Sequence, residues 1–284
     1  MELQSNASNF LAAGFRYEES PIVIVGCPLD ITSTFRPGTR FAPQAIREAS
    51  WGLETYSPLL DRDLEDLRIC DVGDLNLPQG NLAGALEMVQ GYVAALTGDG
   101  KFPILIGGEH LISLPAVNEL VKHHPDLLVI QLDAHADLRQ EYLGESLSHA
   151  TVMRRIADVL GNGGICQLGV RSSTREEMIS AKEMGSLYET GEVLRLAASR
   201  PVYLTVDLDV LDPGVAPGVS TPEPGGLTFE QAISLISSLS SLRVVGFDLV
   251  ELSPLYDPTQ QSAIAAAKLL RELILLFCWD IDRK

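Results

Sequence analysis

The chain has no pair of cysteines spaced as CxxC, and its four cysteines, Cys27, Cys70, Cys166 and Cys278, are widely separated. A purely sulfur-ligated metal site therefore has nothing to be built from. Cys27, Cys70 and Cys166 end or interrupt apolar runs (IVIVGC, LRIC, GGICQLGV) and read as small buried hydrophobes in a reducing compartment, although spacing alone leaves a disulfide open. Positive charge is also scarce. Lysines and arginines number 21 against 38 aspartates and glutamates, a formal net charge of −17. That sign opposes binding to nucleic-acid phosphates or to an anionic membrane surface, and it suits metal ions or a small cation, while serving equally for solubility alone. Long hydrophobic runs are missing too, with no stretch near the roughly 18 uncharged apolar residues of a membrane span. The N-terminal MELQSNASNFLAAGF lacks the basic and apolar regions of a signal peptide, so a cytoplasmic location is expected. Linkers, repeats and low-complexity tracts are absent. Hydrophobic residues at 46% and charged residues at 21% describe an ordinary globular chain, and one domain over 1–284 is expected.

What the sequence does contain is an alternation. Short runs rich in Val, Ile and Leu fall at Pro21–Gly26, Leu67–Val72, Phe102–Gly107, Leu127–Leu132, Gly164–Val170, Pro201–Val206 and Arg243–Val250. They do not alternate in polarity, as suits strands covered on both faces in a parallel sheet. Helical patterns separate them at Pro43–Trp51, Leu82–Thr97, Leu114–His123, Ala150–Leu160, Thr174–Met184, Thr228–Leu239 and Ser262–Phe277. The last is strongly apolar, but Lys268, Arg271 and Glu272 mark it as a packed terminal helix. The expected fold is α/β, a three-layer αβα sandwich around a mostly parallel sheet. Such sheets bind ligands beyond the carboxyl ends of their strands.

Three of those ends carry chemistry. Phe102–Gly107 runs into Gly108-Glu109-His110, Leu127–Leu132 into Asp133-Ala134-His135-Ala136-Asp137, and Pro201–Val206 into Asp207-Leu208-Asp209. If strand geometry continued past Leu132, positions i, i+2 and i+4 would share one face. The set is two imidazoles and four carboxylates. A single DxD is commonly a solvated turn, and a lone histidine is usually structural. Polar density of this kind directly after apolar strands is different, because leaving it unsatisfied would cost several kcal/mol. Four carboxylates cannot all ionise in one partly buried pocket unless positive charge joins them. Two divalent cations would balance four negative charges, and a donor set of oxygen with some imidazole suits Mn²⁺ among first-row metals. Two such ions could activate a water near pH 7, which points to hydrolysis.

At these residues the sequence resembles the ureohydrolases, the arginase/agmatinase family. GGEH (107–110), DAHAD (133–137) and DLDVLDP (207–213) look like that family's metal motifs in the right order. RPGTRFAPQAIREAS (36–50), APGVSTPEPGGLT (216–228) and VGFDLVELSP (245–254) extend the likeness over essentially the whole chain. Ala42 stands where Gly is usual, and Val219-Ser220 where Thr-Gly is. The resemblance implies an arginase-like sheet and two Mn²⁺ per subunit, with Asp133 and Asp207 bridging both ions, His110 and Asp137 completing one shell and His135 and Asp209 the other. It implies a bridging hydroxide that attacks a guanidinium carbon to release urea and an amine. Glu251 would pair with the substrate guanidinium, and His149 would pass a proton to the leaving amine. Taken alone, the two would read as an end-of-strand acid and a surface histidine. His123 and His124 match nothing and read as surface residues.

The segment 138–149 resembles the agmatinase version of the family, so the expected substrate is a small cationic guanidine, agmatine, giving putrescine and urea. Glu141 or Glu145 could attract its ammonium. Arg139 could instead bind a carboxylate, which keeps guanidinobutyrate, guanidinopropionate, arginine and formiminoglutamate as alternatives. A two-metal phosphatase would want basic groups for phosphate, and these loops offer little besides Arg139. The family is usually trimeric or hexameric, so a homo-oligomer is expected.

Overall fold

The computed structural model describes residues 3–4 and 9–282. In chain order its strands are β1 (Leu3–Gln4), β2 (Ile22–Cys27), β3 (Tyr56–Ser57), β4 (Arg62–Asp63), β5 (Ile69–Leu75), β6 (Phe102–Gly107), β7 (Leu128–Leu132), β8 (Ile165–Leu168), β9 (Pro201–Asp207) and β10 (Arg243–Val250). β3 pairs with β4 in a small antiparallel ribbon. The rest form one sheet in the order β1-β5-β2-β6-β10-β9-β7-β8. From β5 to β8 every neighbouring pair is parallel, and β1 joins the β5 edge antiparallel. All seven apolar runs form strands, and Phe102–Gly107 and Arg243–Val250 keep the expected bounds.

Side-chain alternation along these strands feeds two cores. Ile22 and Ile24 of β2, Ile104 and Ile106 of β6, and Leu128 and Ile130 of β7 face one side. Val23, Val25, Leu105 and Val129 face the other. Burial on both faces is what makes the runs uniformly apolar. On the first side lie α1 (Ala42–Ser50), α7 (Phe229–Ser238) and α8 (Gln261–Phe277). On the second lie α2 (Leu82–Gly98), α3 (Ser113–His123) and α4 (Val152–Leu160). These are the three layers. α8 is packed along most of its length, with Arg271 and Glu272 buried against each other. No helix among the described residues is long and apolar enough to cross a membrane.

α5 (Arg175–Met184) begins where expected, because Thr174 and Glu177 form a reciprocal capping box. α6 (Thr190–Ala197) was not expected: its cap is Glu189, outside the usual capping residues. The helix expected from Ala150 opens instead as a tight 3₁₀ turn, His149–Thr151, before α4. All four cysteines are buried and unpaired.

Candidate active site

The strand order brings the chemistry together. β6, β10, β9 and β7 are consecutive in the sheet, and their carboxyl ends lead into His110, Glu251, Asp207 and Asp133. The chain reaches these four neighbours in the order β6, β7, β9, β10, so nothing short of the folded sheet places them side by side.

The local backbone departs from simple strand alternation. β7 ends at Leu132, and the 133–137 segment is a loop. Asp133 Oδ1 accepts the His135 N–H at 2.6 Å, and Asp209 Oδ1 accepts the Ala134 N–H at 3.1 Å. Asp137 sits at φ +52°, a left-handed conformation that aspartate tolerates better than most residues. Side-chain caps and one left-handed residue, rather than a two-residue period, turn these groups inward. Asp207 Oδ1 likewise accepts the Asp209 N–H at 2.9 Å as β9 runs into a 3₁₀ turn. In GGEH, Gly108 passes so close to the neighbouring loop that a Cβ there would lie 2.2 Å from the Leu29 carbonyl oxygen.

All six candidate ligands meet. His110 Nδ1 lies 3.0 Å from Asp137 Oδ2, 3.1 Å from Asp133 Oδ2 and 3.4 Å from Asp207 Oδ2. His135 Nδ1 lies 2.9 Å from Asp209 Oδ2 and 3.6 Å from Asp133 Oδ1. Asp133 therefore turns a different oxygen to each imidazole. Two groups, His110–Asp133–Asp207 and Asp133–His135–Asp209, each have ligand atoms within 4.8 Å of one another, and they share Asp133.

A cation fits this donor set. His110 is 1% exposed, and its Nδ1 has no hydrogen-bond partner. Its Nε2 lies 2.9 Å from Thr205 Oγ1, and that hydroxyl donates to Asp248 Oδ1 at 2.6 Å. The Thr205 oxygen is thus left to accept, so Nε2 donates its proton there and Nδ1 is the ring nitrogen turned toward the carboxylates. This chain of imidazole, hydroxyl and carboxylate is how proteins orient a histidine toward a metal. Asp248 is held in turn by Ser113 Oγ and Tyr203 Oη, both at 2.6 Å.

The electrostatics agree. Burial alone would push His110 down, yet Asp133, Asp137 and Asp207 hold it well above its usual value. His135 is pushed up to about 12, with Asp133 and Asp209 outweighing burial. Burial and the charge of Asp133 push Asp137 up to about 7. Burial, with Asp209 and Asp133, pushes Asp207 well up. Buried carboxylates that disfavour their own ionisation, beside imidazoles that favour their charged form, make a pocket that positive charge stabilises.

A cavity of about 270 Å³ opens onto this cluster. Glu251, 2% exposed, lies on its wall just past β10 at φ +68°. Glu251 Oε1 accepts the His110 N–H at 2.5 Å, and Oε2 accepts the Ser220 hydroxyl. Burial pushes Glu251 up to about 8. His149 also faces the cavity. Its Nδ1 lies 3.2 Å from Thr32 Oγ1. Burial, with the charge of His110, pushes it down to about 4. Arg139 stacks 4.6 Å from the centre of the Tyr142 ring and lies 3.7 Å from Glu177. Glu145 lines a separate cavity of about 390 Å³, and Glu141 is exposed. His123 is exposed beside Glu119, and His124 is half-buried, as residues away from the cavity.

Several supporting residues escaped the sequence reading. Gln131, Thr205 and Asp248 are polar groups inside strands, and that polarity amid apolar neighbours was the signal. Gln131 Nε2 donates to Asp133 Oδ2 at 2.5 Å and is itself tied to Gln167. Arg171 gave no signal. Its backbone N–H donates to Ala134 O at 2.8 Å and its guanidinium to Asp209 O at 2.7 Å, tying two ligand loops together. Glu177, buried in the cavity wall, was hidden as an ordinary helix cap.

Fold and site together define an α/β protein with a shared carboxylate–imidazole cluster at the carboxyl edge of its sheet. The chain belongs to the arginase family, whose model matches residues 20–276. It is 46% identical over 275 residues to an agmatinase of Bacillus anthracis, covering 94% of this chain and 95% of that one. It is 35% identical over 268 residues to a guanidinobutyrase of Pseudomonas aeruginosa, covering 88% and 84%. Among solved structures, the agmatine ureohydrolase of Thermoplasma volcanium superposes with a TM-score of 0.87 at 37% identity, covering 98% of this chain and 97% of that one.

Proposed function

We propose that this chain hydrolyses agmatine to urea and putrescine, using two Mn²⁺ ions held by His110, Asp133, His135, Asp137, Asp207 and Asp209. The observation that carries this reading is the buried, unpartnered His110 Nδ1 facing three carboxylates beside a cavity that also presents Glu251. Asp133 and Asp207 would hold both ions, with His110 and Asp137 holding one and His135 and Asp209 the other. When bound, the ions supply a water activated for attack near neutral pH.

The chain's own residues do the rest. Glu251 accepts N–H bonds from the planar guanidinium and aims its carbon at the cluster. Glu251 is buried and raised to about 8, so the charge of the incoming guanidinium is what draws its carboxyl into the ionised form. His149, neutral at pH 7 given its lowered pKa, takes up the proton released as water adds to the carbon and passes it to the leaving amine. The cavity, at about 270 Å³, suits a small linear substrate. The preference for agmatine follows the relative of higher identity. Arg139 supports a second reading, because a guanidinium on the cavity wall could bind the carboxylate of guanidinobutyrate or a similar acid.

The test is urea release after Mn²⁺ loading, with agmatine, arginine, guanidinobutyrate and guanidinopropionate side by side. Agmatine preference is expected and would make Arg139 a wall residue held by Tyr142 and Glu177. Activity confined to a carboxylated guanidine would overturn the substrate and move Arg139 into the binding site. Silence on all four, with formamide released from formiminoglutamate, would replace urea release altogether. The same reading takes 1–284 as one cytoplasmic ureohydrolase domain assembled as a trimer or hexamer, which sedimentation would check.

A further inference from the structure

Glu251 sits in a backbone conformation that an L-residue does not adopt freely, at φ +68°, and something must hold it there. Three contacts come from the main chain: its N–H donates to Gly108 O at 3.0 Å, its carbonyl accepts the Ser220 N–H at 3.2 Å, and its Oε1 accepts the His110 N–H at 2.5 Å. Its other carboxylate oxygen, Oε2, accepts the hydroxyl of Ser220. Ser220 therefore grips Glu251 twice, once through the backbone and once through the side chain. It is 3% exposed, so water does not compete for either bond.

The segment that carries Ser220 is anchored on both sides. Val219 bridges Leu252 antiparallel, and the Ser253 N–H donates to Gly218 O at 2.8 Å. The next residue, Thr221, lines the cavity and donates its hydroxyl to Asp209 Oδ2 at 3.3 Å. Two successive hydroxyls thus connect one strand-like segment to Glu251 and to a candidate metal ligand. The segment fixes how far apart those two groups stand.

Resting on the proposed guanidine hydrolysis, we infer that Ser220 is a positioning residue, whose hydroxyl locks the Glu251 carboxylate in the one rotamer that receives the substrate guanidinium. A carboxylate has about four lone-pair sites. Protein donors take one on each oxygen, and the remaining lone pair of each is left for two parallel guanidinium N–H groups. Without the Ser220 hydroxyl the carboxylate would turn about its last bond, and the bidentate fit would be lost.

The test is a double-mutant cycle on the Mn²⁺-loaded, full-length protein: wild type, Ser220→Ala, Glu251→Gln and the pair, with urea release from agmatine and metal content measured for each. Loss of a hydrogen bond to a charged group predicts that Ser220→Ala lowers kcat/KM by about tenfold or more, chiefly through KM. Metal content should be unchanged. In the Glu251→Gln background the same change should add little, because the hydroxyl has no carboxylate left to orient. Ser220→Thr, which keeps the hydroxyl, should recover more activity than Ser220→Ala. Unchanged kinetics in Ser220→Ala, or a Ser220→Ala effect as large in the Glu251→Gln background as in the wild-type one, would overturn the inference while leaving the hydrolysis standing. If wild type prefers another guanidine, the cycle is run on that one. If no guanidine is hydrolysed by metal-loaded wild type, the proposed function and this inference both fall.

Discussion

Two of the buried clusters of charge in the described residues differ in kind. Near β5, Arg47 is 1% exposed; its Nε and Nη2 donate to the two oxygens of Asp71 at 2.7 and 2.8 Å, and Nη1 donates to Asp74 Oδ1 at 2.5 Å. The Phe10 and Gly73 N–H groups complete Asp71 at 2.8 and 3.1 Å. At the carboxyl edge, six buried or half-buried groups face one another, with a ring nitrogen left unpartnered. The first cluster is closed by its own guanidinium. The second gathers four carboxylates with no lysine or arginine among them, and its histidines are forced upward in pKa. Buried charge answered from within the chain is structural. Buried charge left for a cation to answer marks a site.

That contrast can be broken by experiment. The largest effect is expected from Asp133→Asn. Outer-shell changes at metal sites cost about 10–100-fold, so losing the carboxylate that faces both imidazoles should exceed about 100-fold. Metal content should fall together with urea release. Full activity with both ions retained would refute the shared role of Asp133.

Arg47→Met should do the reverse. It leaves two aspartates buried without their cation, at a cost of about 3–5 kcal/mol in unfolding free energy. Denaturant melts should show the same loss with and without Mn²⁺. A loss confined to the metal-loaded protein would mean that the two clusters are coupled rather than distinct.

The smallest effect is in pH. Asp137, pushed up to about 7 from an ordinary 3.8, binds its proton more tightly folded than unfolded. Its contribution to the stability of the metal-free protein is therefore present below pH 3.8 and lost as pH rises through about 7. Metal competes with that proton, so Mn²⁺ affinity should weaken as pH falls, by up to about tenfold per unit below 7 from this one group. Titration calorimetry at pH 6 and pH 8 reads this directly, and equal affinities would show that Asp137 holds no proton for the metal to displace in that range.

Much of this was legible in the sequence. Apolar runs without alternation gave a sheet covered on both sides, because residues buried on either face are drawn from the same few types. The six ligand candidates stood out because polar groups rarely crowd the end of such a run. Other features had no local signature. Leu132 ends β7, and the inward turn of Asp137 depends on a left-handed backbone and on backbone N–H groups donating to Asp133 and Asp209. α6 went unseen because a glutamate caps it. The grip of Arg171 on two ligand loops, and of Ser220 on Glu251, joins residues 38 and 31 positions apart.

By itself the sequence determined the layers, the parallel sheet and the identity of the charged groups, since period, burial and the cost of unpaired charge are written in residue types. Tertiary structure alone decided which of them meet. Setting β10 and β9 between β6 and β7 brings Glu251 against the His110 backbone. Packing then gives His110 a hydrogen-bond partner on one ring nitrogen and leaves the other to face the carboxylates. Those facts rest on strand order and long-range hydrogen bonds, which no local pattern encodes.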